Sequence, residues 1–367
     1  MKFLLFGTGK TASYIMEEIE GRHEGIQITG VIDNDETKHG ELFYGKIITG
    51  PEHMMDFQYD YICILAERYF ENIYNQLLYG YHIEKSKLVN KFFLLKQIMI
   101  YKYEGSEERD IQKTISYWEK NDISFFNQFE FAPVQYETVY WDTSSNMPYV
   151  LYENRRLYYP RGYRDFLVKD DKLCVASYRV MEQHEQSPHR YLKDGICIKK
   201  NDIVVDAGAM EGNFALPYID MIQKLYLYEC DPEWVEALKF TYRDYSDKVV
   251  IIDKMLSDKT GDRETTLEES VDGGKIDFIK MDIEGAEVKV LHASERLLKE
   301  NNARCAICCY HRKNDRRDIE RILVQNGYQC SYSNGHVVFM ADPDIFKEAD
   351  FRKGIVYAEK DCQKKGL

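Results

Sequence analysis

Residues 203–216 read Ile-Val-Val-Asp-Ala-Gly-Ala-Met-Glu-Gly-Asn-Phe-Ala-Leu. An apolar run ends in Asp206, a turn carrying Gly208 and Gly212 follows, and an apolar helix start comes next. Strand, tight loop and helix in that order place a nucleotide at the carboxyl end of the strand. The next apolar run, Leu225-Tyr-Leu-Tyr228, ends in Glu229, twenty-one positions beyond Gly208. A carboxylate about 20 residues beyond the glycines is placed to grip ribose hydroxyls.

Charge decides which nucleotide. A pyrophosphate needs a loop free of carboxylates, with backbone N–H groups and a helix N-terminus aimed at it. Asp206 and Glu211 stand in this loop and Glu229 lies nearby. Three carboxylates repel a dinucleotide. They suit a ligand carrying an ammonium and a sulfonium, which describes S-adenosylmethionine. The alternative is an ordinary α/β turn with incidental acids, and it leaves the agreement of strand, glycines and distal acid without a reason.

Downstream, Asp277-Phe-Ile-Lys-Met-Asp-Ile-Glu-Gly-Ala-Glu287 is another strand ending in acids. With the loop at 206–212 and Glu229-Cys-Asp-Pro232, it resembles the FkbM family of S-adenosylmethionine-dependent methyltransferases. Ser257-Asp258-Lys-Thr-Gly261, Tyr310-His311-Arg312, Glu182-Gln183 and Ser187-Pro-His189-Arg-Tyr191 are similar to that family's other motifs. The resemblance covers about residues 170–340. It implies a class I methyltransferase sheet and O-methylation, often of sugars or glycosylated products. Met255-Leu256 stands before Ser257 where an alanine is commoner in the family, a departure on the adenine side.

In an open α/β sheet the reacting groups converge at strand carboxyl ends. Asp206, Glu229, Asp282 and His311 all fall at such ends. Gly208, Ala209 and Gly212 are expected to shape the loop against the methionine portion, and Asp206 to orient its amino group, directly or through water. Glu229 would hold the ribose diol, and Asp258 the adenine side. Asp282 and Glu284 would flank the reacting centre. An Asp at a strand end is otherwise a helix N-cap, and Glu287 is read as that kind of structural acid. His311 is the general base by chemistry, since an imidazole accepts an alcohol proton near neutral pH. The alternative is a strand-end histidine bonded to backbone. Asp282, Glu284 and His311 would suit Mg²⁺, but the spacing does not demand it, and no metal site is assigned.

Arg312, Lys313, Arg316 and Arg317 crowd the stretch after His311. They would hold a phosphate or uronate of the acceptor, or simply form the solvated start of a helix. By resemblance, Ser187 and His189 occupy a turn that closes over the donor, and with Arg312 they are the substrate-side candidates.

The chain has 367 residues, 44% of them hydrophobic, enough for two domains with real cores. A net charge of −13 argues against nucleic acid. Nine cysteines form no disulfide framework, so a cytoplasmic setting is expected. Cys305 and Cys308 have a C-x-x-C spacing with no second pair, inside an apolar run that reads as a buried strand. Phe3-Leu-Leu-Phe6 is too short for a signal segment, and Lys96 and Gln97 break the best apolar stretch, 92–100. No membrane insertion is expected. A homo-oligomer is left open.

Residues 1–90 read as a second, smaller Rossmann-like domain. Lys2-Phe-Leu-Leu-Phe6 is a strand, Gly7-Thr-Gly9-Lys-Thr-Ala12 opens a helix through about Gly21, and 26–32 is a strand ending at Asp33. A later strand at 59–65 precedes a helix over 67–79. The loop fits G-x-G-x-x-A, and Leu4 stands where a Walker A loop needs glycine. Gly7, Gly9, Lys10 and Asp33 are the candidate nucleotide residues. With Gly30-Val-Ile-Asp-Asn-Asp35 and Gly40…Tyr44-Gly45, this half is similar to nucleotide-sugar-binding domains of bacterial polysaccharide-modifying enzymes. The alternative is a Rossmann-like domain that only mediates assembly.

Residues 91–200 read as an α+β connector, with helices at 91–103 and 107–120 and short strands at 136–141, 149–152 and 156–159. Its tyrosines and Arg155, Arg156, Arg161 and Arg164 either face a sugar or form an aromatic-packed meander covering the methyltransferase sheet; the meander is the plainer reading. Residues 201–341 read as the catalytic domain, with strands at 203–206, 225–229, 249–252, 276–281, 304–310 and 336–340. From about 342 a charged, peripheral tail is expected. The expected function is O-methylation of a saccharide or glycosylated acceptor in surface-glycan biosynthesis. The competing reading is a nucleotide-sugar-binding or scaffolding protein of glycan assembly with an inactive methyltransferase domain.

Overall fold

The computed structural model describes residues 1–19, 25–125, 137–163, 168–169, 172–173, 182–340 and 345–360. Two units emerge, one of Met1–Phe129 with Val338–Phe351, the other of Glu130–Val337 with Arg352–Leu367. Both are α/β.

The first unit is built on a six-stranded sheet ordered Leu42–Phe43, Lys46–Thr49, Gln27–Ile32, Lys2–Phe6, Tyr61–Ile64, Leu88–Asn90. Apart from the hairpin at Leu42–Thr49, neighbouring strands run parallel. Phe3 to Phe6 are buried on both faces, as a central parallel strand requires. The helix after Gly9 is Lys10–Ile19, burying Ala12, Ile15, Met16 and Ile19; the expected end at Gly21 lies outside the described residues. The expected helix 67–79 is broken into a tight turn at Glu67–Tyr69, a helix at Phe70–Asn75 and one wide turn at Gln76–Gly80. That wide turn closes with Tyr81 N–H donating to Gln76 O at 3.1 Å. Helices Lys91–Tyr103 and Arg109–Trp118 belong to this unit. Asn90 caps the first by accepting from Phe93 N–H at 3.0 Å. Lys96, the charge inside the apolar run, is buried and satisfied by Asn121 O at 2.9 Å. Among the described residues no helix is long and apolar enough to cross a membrane.

The second unit holds a seven-stranded sheet. Its order is Val249–Ile252, Lys224–Tyr228, Ile203–Ala207, Phe278–Met281, Arg304–Cys308, Ile355–Glu359, Gln329–Tyr332. The first five strands are parallel and Ile355–Glu359 is antiparallel to both neighbours. This is an open, mostly parallel α/β sheet, the architecture expected for this half of the chain. Two expectations are overturned. Val337–Phe339 is not one of the seven strands. The supposed peripheral tail supplies Ile355–Glu359, with Ile355 and Val356 fully buried, because the run Ile-Val-Tyr-Ala is apolar on both faces.

A third difference lies at the loop. The helix expected after Gly212 is a single tight turn, Leu216–Tyr218, since Pro217 and the short spacing to the next strand leave no room for a longer one. The meander Tyr140–Asp142, Met147–Tyr152, Arg155–Tyr158 is antiparallel and turns on Glu153 and Asn154, both at positive φ. It packs on helix Pro232–Thr241 through Met147, Tyr158 and Ala237, and Tyr158 N–H donates to Thr241 Oγ1 at 3.0 Å. Arg155 pairs with Asp220 and Arg161 with Glu236, so these arginines brace the meander. Arg164 lies outside the described residues.

Candidate active site

The loop after Ile203–Ala207 turns at positive φ at Gly208, Met210 and Gly212. A Cβ on Gly208 would stand 1.7 Å from the carbonyl oxygen of Asp282, and one on Gly212 would meet Leu238 and Tyr242. Neither position tolerates a side chain. Gly208 and Ala209 N–H both donate to Tyr228 O at 3.0 Å, which docks the loop on the neighbouring strand end.

Glu229 sits where that strand ends. Its Oε2 accepts from Met210 N–H at 2.9 Å, and its Oε1 accepts from Cys230 and Asp231 N–H at 2.8 and 2.9 Å. It therefore ties loop and strand together while keeping lone pairs for a diol.

Asp206 lies on the strand that leads into the loop. It is fully buried, with Lys280 Nζ 3.0 Å from its Oδ1. Lys280 also donates to Gly208 O at 2.6 Å. Burial pushes the Asp206 pKa up and Lys280 offsets part of that. Burial works against the Lys280 charge too, yet Asp206 and Asp282 raise its pKa. Asp206 thus holds the loop from beneath, through Lys280.

Asp282, Glu284 and His311 come together as expected, with partners that the sequence reading did not assign. Tyr191 donates to Asp282 Oδ2 at 2.7 Å, and His189 Nε2 lies 3.5 Å from the same oxygen. Tyr310 donates to Asp282 Oδ1 at 3.4 Å, and His311 Nε2 is also 3.4 Å from it. Burial opposes the Asp282 charge, but His189, Lys280 and His311 hold its carboxyl far below the usual carboxylate range.

His311 Nδ1 lies 3.0 Å from Glu287 Oε1, and Nε2 lies 3.6 Å from Glu284 Oε2. Glu287 is completely buried, and its Oε1 also accepts from Ile283 N–H at 2.9 Å. It is therefore both the structural acid that was expected and the partner of the candidate base. Burial lowers the His311 pKa, but Glu287, Asp282 and Glu284 outweigh it and raise the value. Glu284 itself is exposed, on a backbone at φ 55° next to Gly285 at φ 91°.

Ser187 and His189 form the expected turn: Ser187 Oγ accepts from His189 N–H at 3.1 Å. His189 then reaches Tyr310, its Nε2 3.1 Å from the phenol oxygen. Arg312 is exposed and borders Gly285. Asp258 is held by Lys289 at 2.9 Å and by Ser257 at 3.2 Å. Cys305 and Cys308 are buried in their strand and Cys309 just beyond its end, and burial lifts the Cys305 thiol to about 12.

The donor set fits S-adenosylmethionine. Glu229, Asp282 and Glu284 are anionic, while the buried cation beside them, Lys280, is already paired. For a metal, the compact groups that include Asp282 are Asp282, Glu287 and His311, and His189, Asp282 and Cys308, each within 4.8 Å. Glu287 stands in the first where Glu284 was expected, and the Asp282 oxygens already take hydrogen bonds from the two tyrosines.

Residues 260–330 match the family described as the methyltransferase FkbM domain, and residues 1–89 match the C2185-like N-terminal family. Among solved structures the chain is similar to the methyltransferase FkbM of Methylobacillus flagellatus KT, at 17% identity and a TM-score of 0.42, covering 97% of this chain and 89% of that one. It is also similar to the magnesium protoporphyrin IX methyltransferase of Synechocystis PCC 6803 with bound S-adenosylmethionine, at 16% identity and a TM-score of 0.30, covering 44% and 71%. No curated protein matches. The residues matched by the methyltransferase FkbM domain model, 260–330, include Asp282, Glu284, Glu287 and His311.

Proposed function

We propose that the second unit transfers a methyl group from S-adenosylmethionine to a hydroxyl of a saccharide or glycosylated acceptor. The observation that carries this reading is His311 set between Glu287 on one ring nitrogen and Asp282 and Glu284 on the other. Glu287 favours a proton on Nδ1, which leaves the Nε2 lone pair on the side of Asp282 and Glu284. Bound S-adenosylmethionine supplies an activated methyl, its carbon–sulfur bond breaking with the electron pair passing to sulfur. Glu229 holds the ribose, and the Gly208–Gly212 loop shapes the methionine side. Neutral His311 takes the proton as the acceptor oxygen bonds to carbon. Asp282 and Glu287 then stabilise the imidazolium. Asp282, held far below its ordinary pKa and already carrying two phenol hydrogen bonds, positions the aromatic wall instead of serving as base. Arg312 at the rim suits a phosphate or uronate on the acceptor.

The test is transfer of labelled methyl to a panel of hydroxyl-bearing saccharides, alongside calorimetry with S-adenosylhomocysteine. Absence of S-adenosylhomocysteine binding would sink the donor assignment. Donor binding with no label on any saccharide would sink the acceptor class.

A further inference from the structure

The geometry of the first unit points to a second ligand site: we propose that it holds a nucleotide by ribose and base, where its parallel sheet changes direction. This stands apart from the methyl-transfer reading. From Lys2–Phe6 the chain builds outward through Gln27–Ile32 to Lys46–Thr49, then returns to Tyr61–Ile64 on the opposite side. Ligands of open α/β sheets bind outside the carboxyl ends at such a reversal. A cavity of about 590 Å³ opens there, between Gly7–Gly9, Asp33–Asp35 and Leu65–Ala66. That volume is within the range of small-molecule sites.

The lining specifies a nucleotide. Asp33 Oδ2 is filled by Thr8 N–H at 3.0 Å, Thr8 Oγ1 at 2.6 Å and Lys38 Nζ at 3.2 Å. Its Oδ1 takes Asp35 N–H at 3.0 Å and retains a lone pair for a ribose hydroxyl. Asn34 and Gln76 exchange amide hydrogen bonds at 2.9 and 3.1 Å on the cavity wall. Each keeps a second N–H and a carbonyl lone pair, the mixed edge that reads a base. Gln76 starts the wide helical turn, a feature frequent at functional sites. Ile73 and the exposed ring of Tyr69 line the apolar side where a base would lie.

Lys10 does not line the cavity, and Thr8 N–H is bonded to Asp33. The grip therefore falls on the nucleoside, with its 5′ end toward Gly9 and the start of helix Lys10–Ile19. A Cβ on Gly9 would meet nothing within 4 Å, and Gly9 has no positive φ. The space beside it is open to a ligand, and a larger side chain would occupy it without strain.

Calorimetry on the full chain with AMP, UMP, GMP and CMP, with NAD and UDP-glucose as extended forms, tests this. At least one monophosphate is expected to bind with Kd under about 1 mM. Its 2′- or 3′-deoxy form should bind at least about tenfold more weakly, the loss of a hydroxyl on a charged acceptor. G9L should abolish binding with an unchanged circular dichroism spectrum, and D33N should weaken it. Tighter binding of NAD or of UDP-glucose would name the extended form. No heat with any probe, binding that survives G9L, a deoxy form that binds equally, or equal displacement by inorganic phosphate would each overturn the proposal.

Discussion

The phenol of Tyr191 donates to Asp282 Oδ2 at 2.7 Å across 91 residues of sequence, fastening the turn before the second unit's sheet to the strand end at its centre. Removing that donor leaves an ionised, largely buried carboxylate short of one partner. Tyr191→Phe is expected to cost about 1.5–3 kcal/mol. Urea denaturation reads it directly, and an unchanged midpoint would mean that the bond contributes nothing.

The pH dependence follows from His311. Its folded pKa is raised above the ordinary imidazole value of about 6.5. Ion pairing of the charged ring therefore stabilises the fold fully below 6.5 and is lost as pH rises through the raised value. Methyl transfer needs the neutral ring, so turnover should climb through an inflection above 6.5. His311→Gln should lower kcat by ~10²–10⁴-fold and flatten the inflection. Glu287→Gln should move the inflection downward. A His311→Gln enzyme with unchanged kcat would remove the base assignment.

Lys280 and Asp206 are a buried pair, and breaking it strands a charge. Lys280→Met is expected to destabilise by roughly 3–5 kcal/mol, and the double variant Lys280→Met/Asp206→Leu by less than the sum. Additive losses in thermal unfolding would show the two to be independent.

Loop geometry makes the sharpest steric claim. Gly208→Ala puts a Cβ against the Asp282 carbonyl and should abolish S-adenosylhomocysteine binding. Glu229→Ala should weaken binding by about 1–3 kcal/mol, through lost ribose contacts and a loosened Met210. Undiminished affinity in Glu229→Ala would mean that the ribose lies elsewhere.

Parallel strands were legible because burial on both faces leaves an uninterrupted apolar run, as in Phe3-Leu-Leu-Phe6 and Leu225-Tyr-Leu-Tyr228. The same signal was present in Ile355-Val-Tyr-Ala, but charged flanks disguised it. Asp282, Glu284 and His311 could be grouped because each ends or follows a strand. Tyr191, Tyr310 and Lys280 could not, since their partners lie tens of residues away and only the folded register brings them close. Lys280 did carry one local sign: a lysine inside the otherwise apolar Phe-Ile-Lys-Met needs a buried acid. Asp206, one strand over and in register with it, is that acid.

The antiparallel strand Ile355–Glu359 lies between Arg304–Cys308 and Gln329–Tyr332. While the chain is being synthesised, Gln329–Tyr332 has no neighbour to pair with, and Arg304–Cys308 presents an open edge. Both wait until residue 359 has left the ribosome. The second unit therefore completes its sheet only once residue 359 has emerged, and a nascent chain stalled before residue 355 carries two unpaired edges open to aggregation.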